Sequence, residues 1–235
     1  MELKREKDMD TGKAVFRGAV FDLDGLLMDS EPIWMWAQVK TFAELGAELT
    51  EEMQLATTGL RLREALLVWR GYFPRLDLEP EKLRIRLLEL MLSAIRDSGQ
   101  PKPGAIRALE ICHRAGCRIA IASSSPPEII QAAVDRLDIL HAGARGWFRE
   151  ILSAEAEVRG KPHPDVFLSA AAKLEVEPWD CIAFEDSVHG VRSAYAAGMH
   201  CIAVPEEHNR GRTEYAIAHR VLESLDAFEP GFLHR

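Results

Sequence analysis

The sequence predicts an α/β chain: a doubly wound parallel sheet with a small all-helical domain inserted after its first strand. Three observations lead there. Short apolar runs alternate with helix-like segments over most of the 235 residues. The runs end on acidic or hydroxyl residues, or on proline. The stretch 31–99 breaks the alternation, with helical patterning and no strand-like run. Continuous apolar runs bounded by turn residues suit strands buried on both faces of a parallel sheet.

The first run is Ala19-Val20-Phe21, leading into Asp22. The second, Arg118 to Ala122, leads into Ser123, and a weaker third spans Glu150 to Ser153. The fourth, Cys181 to Phe184, leads into Glu185, and the fifth, Cys201 to Val204, leads into Pro205. Between them, helices are expected from about Gly104 to Ala115, after Ser125, after Pro164 to Leu174, and from about Ser187 to Ala197. Pro126 and Pro127 suit a first turn, and Gly116 and Gly198 suit helix ends. In such sheets ligands bind outside the carboxyl ends of the strands, where these polar residues fall.

In the inserted stretch, helices are expected over Ile33–Leu45, Glu51–Thr57, Leu62–Tyr72 and Glu81–Ile95. The last carries Leu83, Leu87, Met91 and Ile95 on one face. A helical block directly after the first strand cannot lie within the sheet, so it is read as a cap over the strand ends. The division expected is a core of 1–30 and 100–235 and a cap of 31–99, with 1–13 a charged leader.

Bulk properties exclude several classes. A net charge of −8 argues against general nucleic-acid affinity. The leader lacks a signal-peptide apolar run, and no stretch is long and apolar enough to span a membrane. Four cysteines without a C-x-x-C pair suit reduced thiols in a cytoplasmic protein.

The chemistry centres on Asp22-Leu23-Asp24-Gly25. Gly25 permits a tight turn as the strand ends, so both carboxylates can face the crevice. Glu185-Asp186 brings two more acids to a neighbouring strand end. Crowded carboxylates are costly without a cation, and a hard divalent ion such as Mg2+ suits oxygen ligands together with substrate phosphate. Ser123-Ser124-Ser125 lies between a strand and a helix start, a natural anion site, and Lys161 can reach the same crevice. A nucleophile, cation charge and phosphate donors are the parts that phosphoryl transfer requires.

The order DLDG, Ser123, Lys161 in GKPHPD, then Glu185-Asp186 resembles the four motifs of the haloacid-dehalogenase-like superfamily. The runs VFDLDGLLMDSEP and FEDSVHG resemble its branch with a small helical cap, which includes β-phosphoglucomutases and bacterial sugar-phosphate phosphatases. The resemblance implies a Mg2+-dependent phosphatase acting on a small phosphorylated metabolite, a sugar phosphate. Asp22 would be the nucleophile and form an aspartyl-phosphate, with Asp24 as general acid and then base. Magnesium would be held by the carboxylates of Asp22 and Asp186 and the carbonyl of Asp24, with Glu185 holding metal-bound water. Ser123, Ser124 and Lys161 would bind the phosphoryl group, and Arg61, after Thr58-Gly59-Leu60, would reach substrate from the cap.

Two alternatives accompany this reading: a phosphosugar mutase and a non-catalytic binding module on the same fold. Mutases of the family carry a histidine where this chain has Trp34, and Lys-Asn where it has Pro126 nearby. A dead scaffold would be expected to have lost an acid or Lys161. An internal cap removes the need for a partner subunit over the site, which is compatible with a monomer and leaves the oligomeric state open.

Overall fold

The computed structural model describes residues 15–76 and 78–234. The leader expected over 1–13 lies outside the described residues. Six parallel strands form one sheet in the order β3-β2-β1-β4-β5-β6. They are β1 (Gly18–Phe21), β2 (Arg118–Ser123), β3 (Phe148–Ser153), β4 (Cys181–Glu185), β5 (His200–Ala203) and β6 (Arg220–Val221). The doubly wound α/β class expected from the sequence is the one observed. The chain lays β2 and β3 on one side of β1, then returns to lay β4, β5 and β6 on the other. That reversal is the switch point where a crevice opens above the strand ends.

Five of these strands coincide with the apolar runs. The sixth gives no such signal: Arg220–Val221 is two residues long and exposed at the sheet edge. β3, at the other edge, alternates exposed with more buried residues, which explains its weak run.

Alternation across the pleat divides the sheet into unlike faces. Phe21, Ile121, Ile182, Phe184 and Ile202 point to one side. Val20, Ala120, Ala122, Ala183 and Ala203 point to the other. The large face stacks Phe21 on Phe184 at 4.3 Å between ring centroids, with Phe228 edge-on to Phe184 at 4.9 Å. The alanine face admits the helices α7 (Asp165–Leu174) and α8 (Val188–Ala196), which contribute Phe167, Ala170, Val191 and Ala194. Each fully buried phenylalanine or leucine here stabilises the fold by roughly 1.5–3 kcal/mol. The helices α5 (Ala105–Arg114) and α6 (Pro127–Leu140) cover the other face.

Between β1 and β2 come α1 (Glu31–Glu44), α2 (Glu51–Leu55), α3 (Leu62–Tyr72) and α4 (Pro80–Ser98). The segments entering and leaving this insertion run side by side, with Asp29 N donating to Gln100 O at 2.8 Å and Lys102 N to Leu27 O at 3.0 Å. Leu83, Leu87, Met91 and Ile95 of α4 are all buried, and α4 packs on both α1 and α6. Through that contact the insertion's apolar cluster continues into that of the core. All four cysteines are buried and none forms a disulfide. Among the described residues no helix is long and apolar enough to cross a membrane.

Candidate active site

The register of β1 against β4 sets the site. Phe21 pairs with Phe184, so Asp22 and Glu185 leave adjacent strand ends together, and Asp22 N donates to Phe184 O at 3.0 Å. Carboxylate oxygens of Asp22, Glu185 and Asp186 lie within 4.8 Å of one another, and all three residues are buried. Lys161, only 2% exposed, enters between them. Its Nζ donates to Asp22 Oδ1 at 2.6 Å and to Glu185 Oε1.

One ammonium among three buried carboxylates leaves an excess of negative charge. Burial pushes the Asp22 carboxyl up to about 8, with Lys161 pulling it down and Glu185 and Asp24 pushing it further up. Burial and the neighbouring Asp22 and Glu185 raise Asp186 well above the usual carboxylate range. Burial alone would lower Lys161, but Asp22 and Glu185 outweigh it and hold the ammonium above its ordinary value. A compact set of hard oxygen donors with surplus negative charge fits a divalent cation of the magnesium type.

Glu185 is held from two sides. Oε1 takes Lys161, and Oε2 accepts from Ser187 Oγ at 3.3 Å. The room for its carboxylate comes from Gly190 on α8, where a Cβ would stand 1.9 Å from the Glu185 carboxyl carbon. Ser187 caps α8 by accepting from Gly190 N at 3.0 Å. Gly25 performs the same service at the other acid: it has φ +73°, and a Cβ there would meet Asp186 Oδ2 at 2.5 Å. The phenol of Tyr215 donates to the Asp186 carbonyl at 2.6 Å.

Asp24 sits apart from that cluster, and its carboxylate gathers four donors. Oδ1 accepts from Ser30 Oγ at 2.7 Å and Trp34 Nε1 at 3.0 Å. Oδ2 accepts from Ser125 Oγ at 2.7 Å and Ser123 Oγ at 3.3 Å. Two of the donors come from the start of the insertion and two from the end of β2. Ser124 turns the other way and donates its hydroxyl to Gly59 O of the insertion at 2.8 Å. Gly59, at φ +79°, makes that approach possible, since a Cβ there would lie 2.7 Å from Ser187 Oγ.

Asp22, Asp24, Ser123, Ser124, Lys161 and Asp186 line one open cleft of about 840 Å3 between the strand ends and the insertion. Glu185 lies beneath it. Arg61, expected at the substrate, does not line the cleft and is 4% exposed. Its guanidinium pairs with Glu64 and donates to the carbonyls of Ala154 at 3.2 Å and Glu157 at 2.9 Å. With four of its five N–H donors engaged in this way, the planar fork clamps the insertion to the core and has no open two-donor edge for a phosphate. His189 makes a second tie, with Nδ1 3.2 Å from Thr58 O.

Sequence reasoning passes over Ser30 and Gly190, and it reads Ser125 as part of an anion site, whereas the structure turns the Ser125 hydroxyl to Asp24. Ser30 in DSEP precedes a helix and reads as a cap, yet its hydroxyl turns to Asp24. Gly190, four residues after Asp186, reads as an ordinary helix glycine; only the adjacent Glu185 gives it a purpose.

Comparison with known proteins agrees with this geometry. The sequence model of haloacid dehalogenase-like hydrolases matches residues 16–198. Hexitol phosphatase B of Escherichia coli K12 is 33% identical over 208 residues, covering 88% of this chain and 91% of that protein. Fructose-1-phosphate phosphatase YqaB of the same organism is 29% identical, covering 80% of this chain and 96% of its own. Among solved structures, CbbY from Rhodobacter sphaeroides in complex with phosphate superposes with a TM-score of 0.77 at 27% identity, covering 90% and 96% of the two chains. The family match spans β1 to β4, the insertion and every acid of the cleft, and the chain belongs to the haloacid dehalogenase-like hydrolase family.

Proposed function

We propose that this protein is a divalent-cation-dependent phosphatase, magnesium being the expected ion, that hydrolyses a small phosphorylated carbohydrate through a phosphorylated Asp22. The observation carrying this reading is the convergence of Asp22, Lys161 and Asp186 at the floor of a cleft whose wall presents Asp24. Similarity to hexitol and fructose-1-phosphate phosphatases supports the substrate class.

Asp22 and Asp186 would hold the cation, which supplies positive charge against the phosphoryl oxygens. Lys161 neutralises part of the same charge and keeps Asp22 aimed by its 2.6 Å bond. Asp22 attacks phosphorus while the bond from phosphorus to the leaving oxygen breaks. Asp24, released from its four donors and protonated, gives that oxygen its proton. In the second half Asp24 takes a proton from water, whose oxygen attacks phosphorus and returns the Asp22 carboxylate. The helical insertion acts as a cap that excludes bulk water. Retention of every acid and of Lys161 in one cleft favours this over a non-catalytic binding module. The mutase alternative gains no observation of its own.

The test is phosphate release from a panel of sugar and polyol phosphates, with and without Mg2+, by wild type and Asp22→Asn. Mg2+-dependent release that disappears in the variant is expected. Robust release by Asp22→Asn would remove Asp22 as nucleophile.

A further inference from the structure

The far wall of the cleft carries two buried carboxamides that catalysis does not use. Gln38 on α1 is 9% exposed and Gln54 on α2 is 5% exposed, and both line the cleft. Gln54 Nε2 donates to the backbone carbonyl of Met35 at 2.9 Å and to Gln38 Oε1 at 2.9 Å. A carbonyl only accepts, so Met35 fixes which end of the Gln54 amide is nitrogen. Gln54 in turn fixes Gln38, whose oxygen faces Gln54.

This arrangement consumes both N–H groups of Gln54 and leaves Gln54 Oε1 and Gln38 Nε2 without a partner among the described residues. Neither atom is sealed: among the described residues the only fully enclosed side-chain polar atom lacking a partner is Glu31 Oε1. Both atoms therefore keep solvent contact, and both residues line the cleft. A fixed acceptor and a fixed donor stand side by side, uncharged, among the apolar groups of Trp34, Met35, Leu55 and Trp69.

A hydroxyl is both donor and acceptor, so adjacent hydroxyls on a carbon chain complement such a pair, while their C–H faces suit the surrounding rings. A second phosphate would find no cation on this wall, and an alkyl chain would strand both carboxamides unsolvated. We infer that Gln38 and Gln54 form a hydroxyl-reading subsite that selects phosphorylated polyols and sugars over other phosphate monoesters. This rests on the phosphatase reading above and assigns its substrate selectivity to these two residues.

The test compares two esters of equal carbon length, a hexitol 6-phosphate and n-hexyl phosphate. The readout is the ratio of their kcat/KM values in wild type, Gln38→Met, Gln54→Met and Gln38→Glu. Gln38→Glu keeps the oxygen that Gln54 needs and replaces the free N–H donor by a second, ionisable acceptor oxygen. Sites built to bond a hydroxyl discriminate strongly against its absence, so wild type should favour the hexitol ester by about 100-fold or more. Each variant should lower that ratio by about 10-fold or more, and a loss of stability alone would leave the ratio where it was. A ratio unchanged in all three variants, with wild type active, overturns the subsite and leaves the phosphatase reading standing. A wild type inactive on both esters and on the wider panel overturns the phosphatase reading and this inference with it.

Discussion

The indole N–H of Trp34 donates to Asp24 Oδ1 at 3.0 Å, tying the first helix of the insertion to the acid that ends the β1 turn. Ser30, one residue before that helix, bonds the same oxygen. The position of the insertion and the aim of Asp24 are thereby linked. When the insertion sits as observed, Asp24 is turned towards Ser30 and Trp34; in the proposed mechanism, reaching a substrate's leaving oxygen means giving up bonds to both.

Trp34→Phe keeps an aromatic ring and deletes the donor. A hydrogen bond to a charged group contributes about 1.5–3 kcal/mol. If the bond matters only in the resting arrangement, its loss should speed turnover by freeing Asp24. If it also steadies Asp24 during proton transfer, turnover should slow by about 10-fold. The first outcome is expected, because Asp24 must leave this bond to reach the leaving oxygen, while the variant keeps the ring that lines the cleft. A turnover rate equal to that of wild type would show that the indole bond has no part in the reaction.

Gly190→Ala should be far more damaging than its helical position suggests. The new methyl would stand 1.9 Å from the Glu185 carboxyl carbon, inside any van der Waals contact. Glu185 is fully buried and cannot swing to solvent, so it would be pushed off Lys161. Breaking a buried ion pair costs about 3–5 kcal/mol. Turnover should slow by about 100-fold or more, with a clear drop in Tm. Gly146→Ala, at a glycine with nothing within 4 Å, is the control and should leave both near wild type. Full activity in Gly190→Ala would remove Glu185 from any positioning role.

Arg61→Ala separates a clamp from a substrate ligand. Its guanidinium holds two core carbonyls and Glu64, so its loss leaves buried acceptors unsatisfied at about 1–3 kcal/mol each. The expected outcome is a lower Tm and faster limited proteolysis of the insertion, with little change in KM for a sugar phosphate. A large rise in KM with Tm unchanged would return Arg61 to the substrate.

Most of what positions the site is legible in the chain because its signals are local. Ala19-Val20-Phe21 and Cys181-Ile182-Ala183-Phe184 announce buried strands, and the acids that follow them fall at the strand ends through register alone. Gly25 and Gly59 announce their turns. The bonding of Arg61 is not legible because a cationic residue after a glycine loop looks the same whether it faces a ligand or two carbonyls far along the chain. Gln38 and Gln54 give no signal for the same reason: their pairing joins residues 16 positions apart on two helices, and nothing in either helix's pattern marks it. β6 is invisible in the sequence because two exposed residues carry no periodicity.

The excess carboxylates give the cation-free protein a particular pH dependence. Asp22 is pushed up to about 8 in the fold, against an ordinary value of 3.8, and Asp186 moves the same way. The folded state therefore binds more protons than the unfolded one between those values, and stability is lost as pH rises through the folded pKa. His200 has the opposite sign, since burial first, then His219 and Arg220, lower it to about 4 from an ordinary 6.5. Its contribution is nearly complete above that ordinary value, so the window from about pH 6.5 to about pH 8 isolates the carboxylates. In EDTA, Tm should fall across that window, and Asp22→Asn, which has one less charge to bury, should fall less. Saturating Mg2+ should flatten the wild-type slope and raise Tm, with about 2.7 kcal/mol gained at about 100 times its Kd. Asp186→Asn should lose most of that gain. A cation-free Tm that stays constant across the same window would mean that Asp22 and Asp186 bury no excess charge, and nothing in the electrostatics would then call for a cation between them.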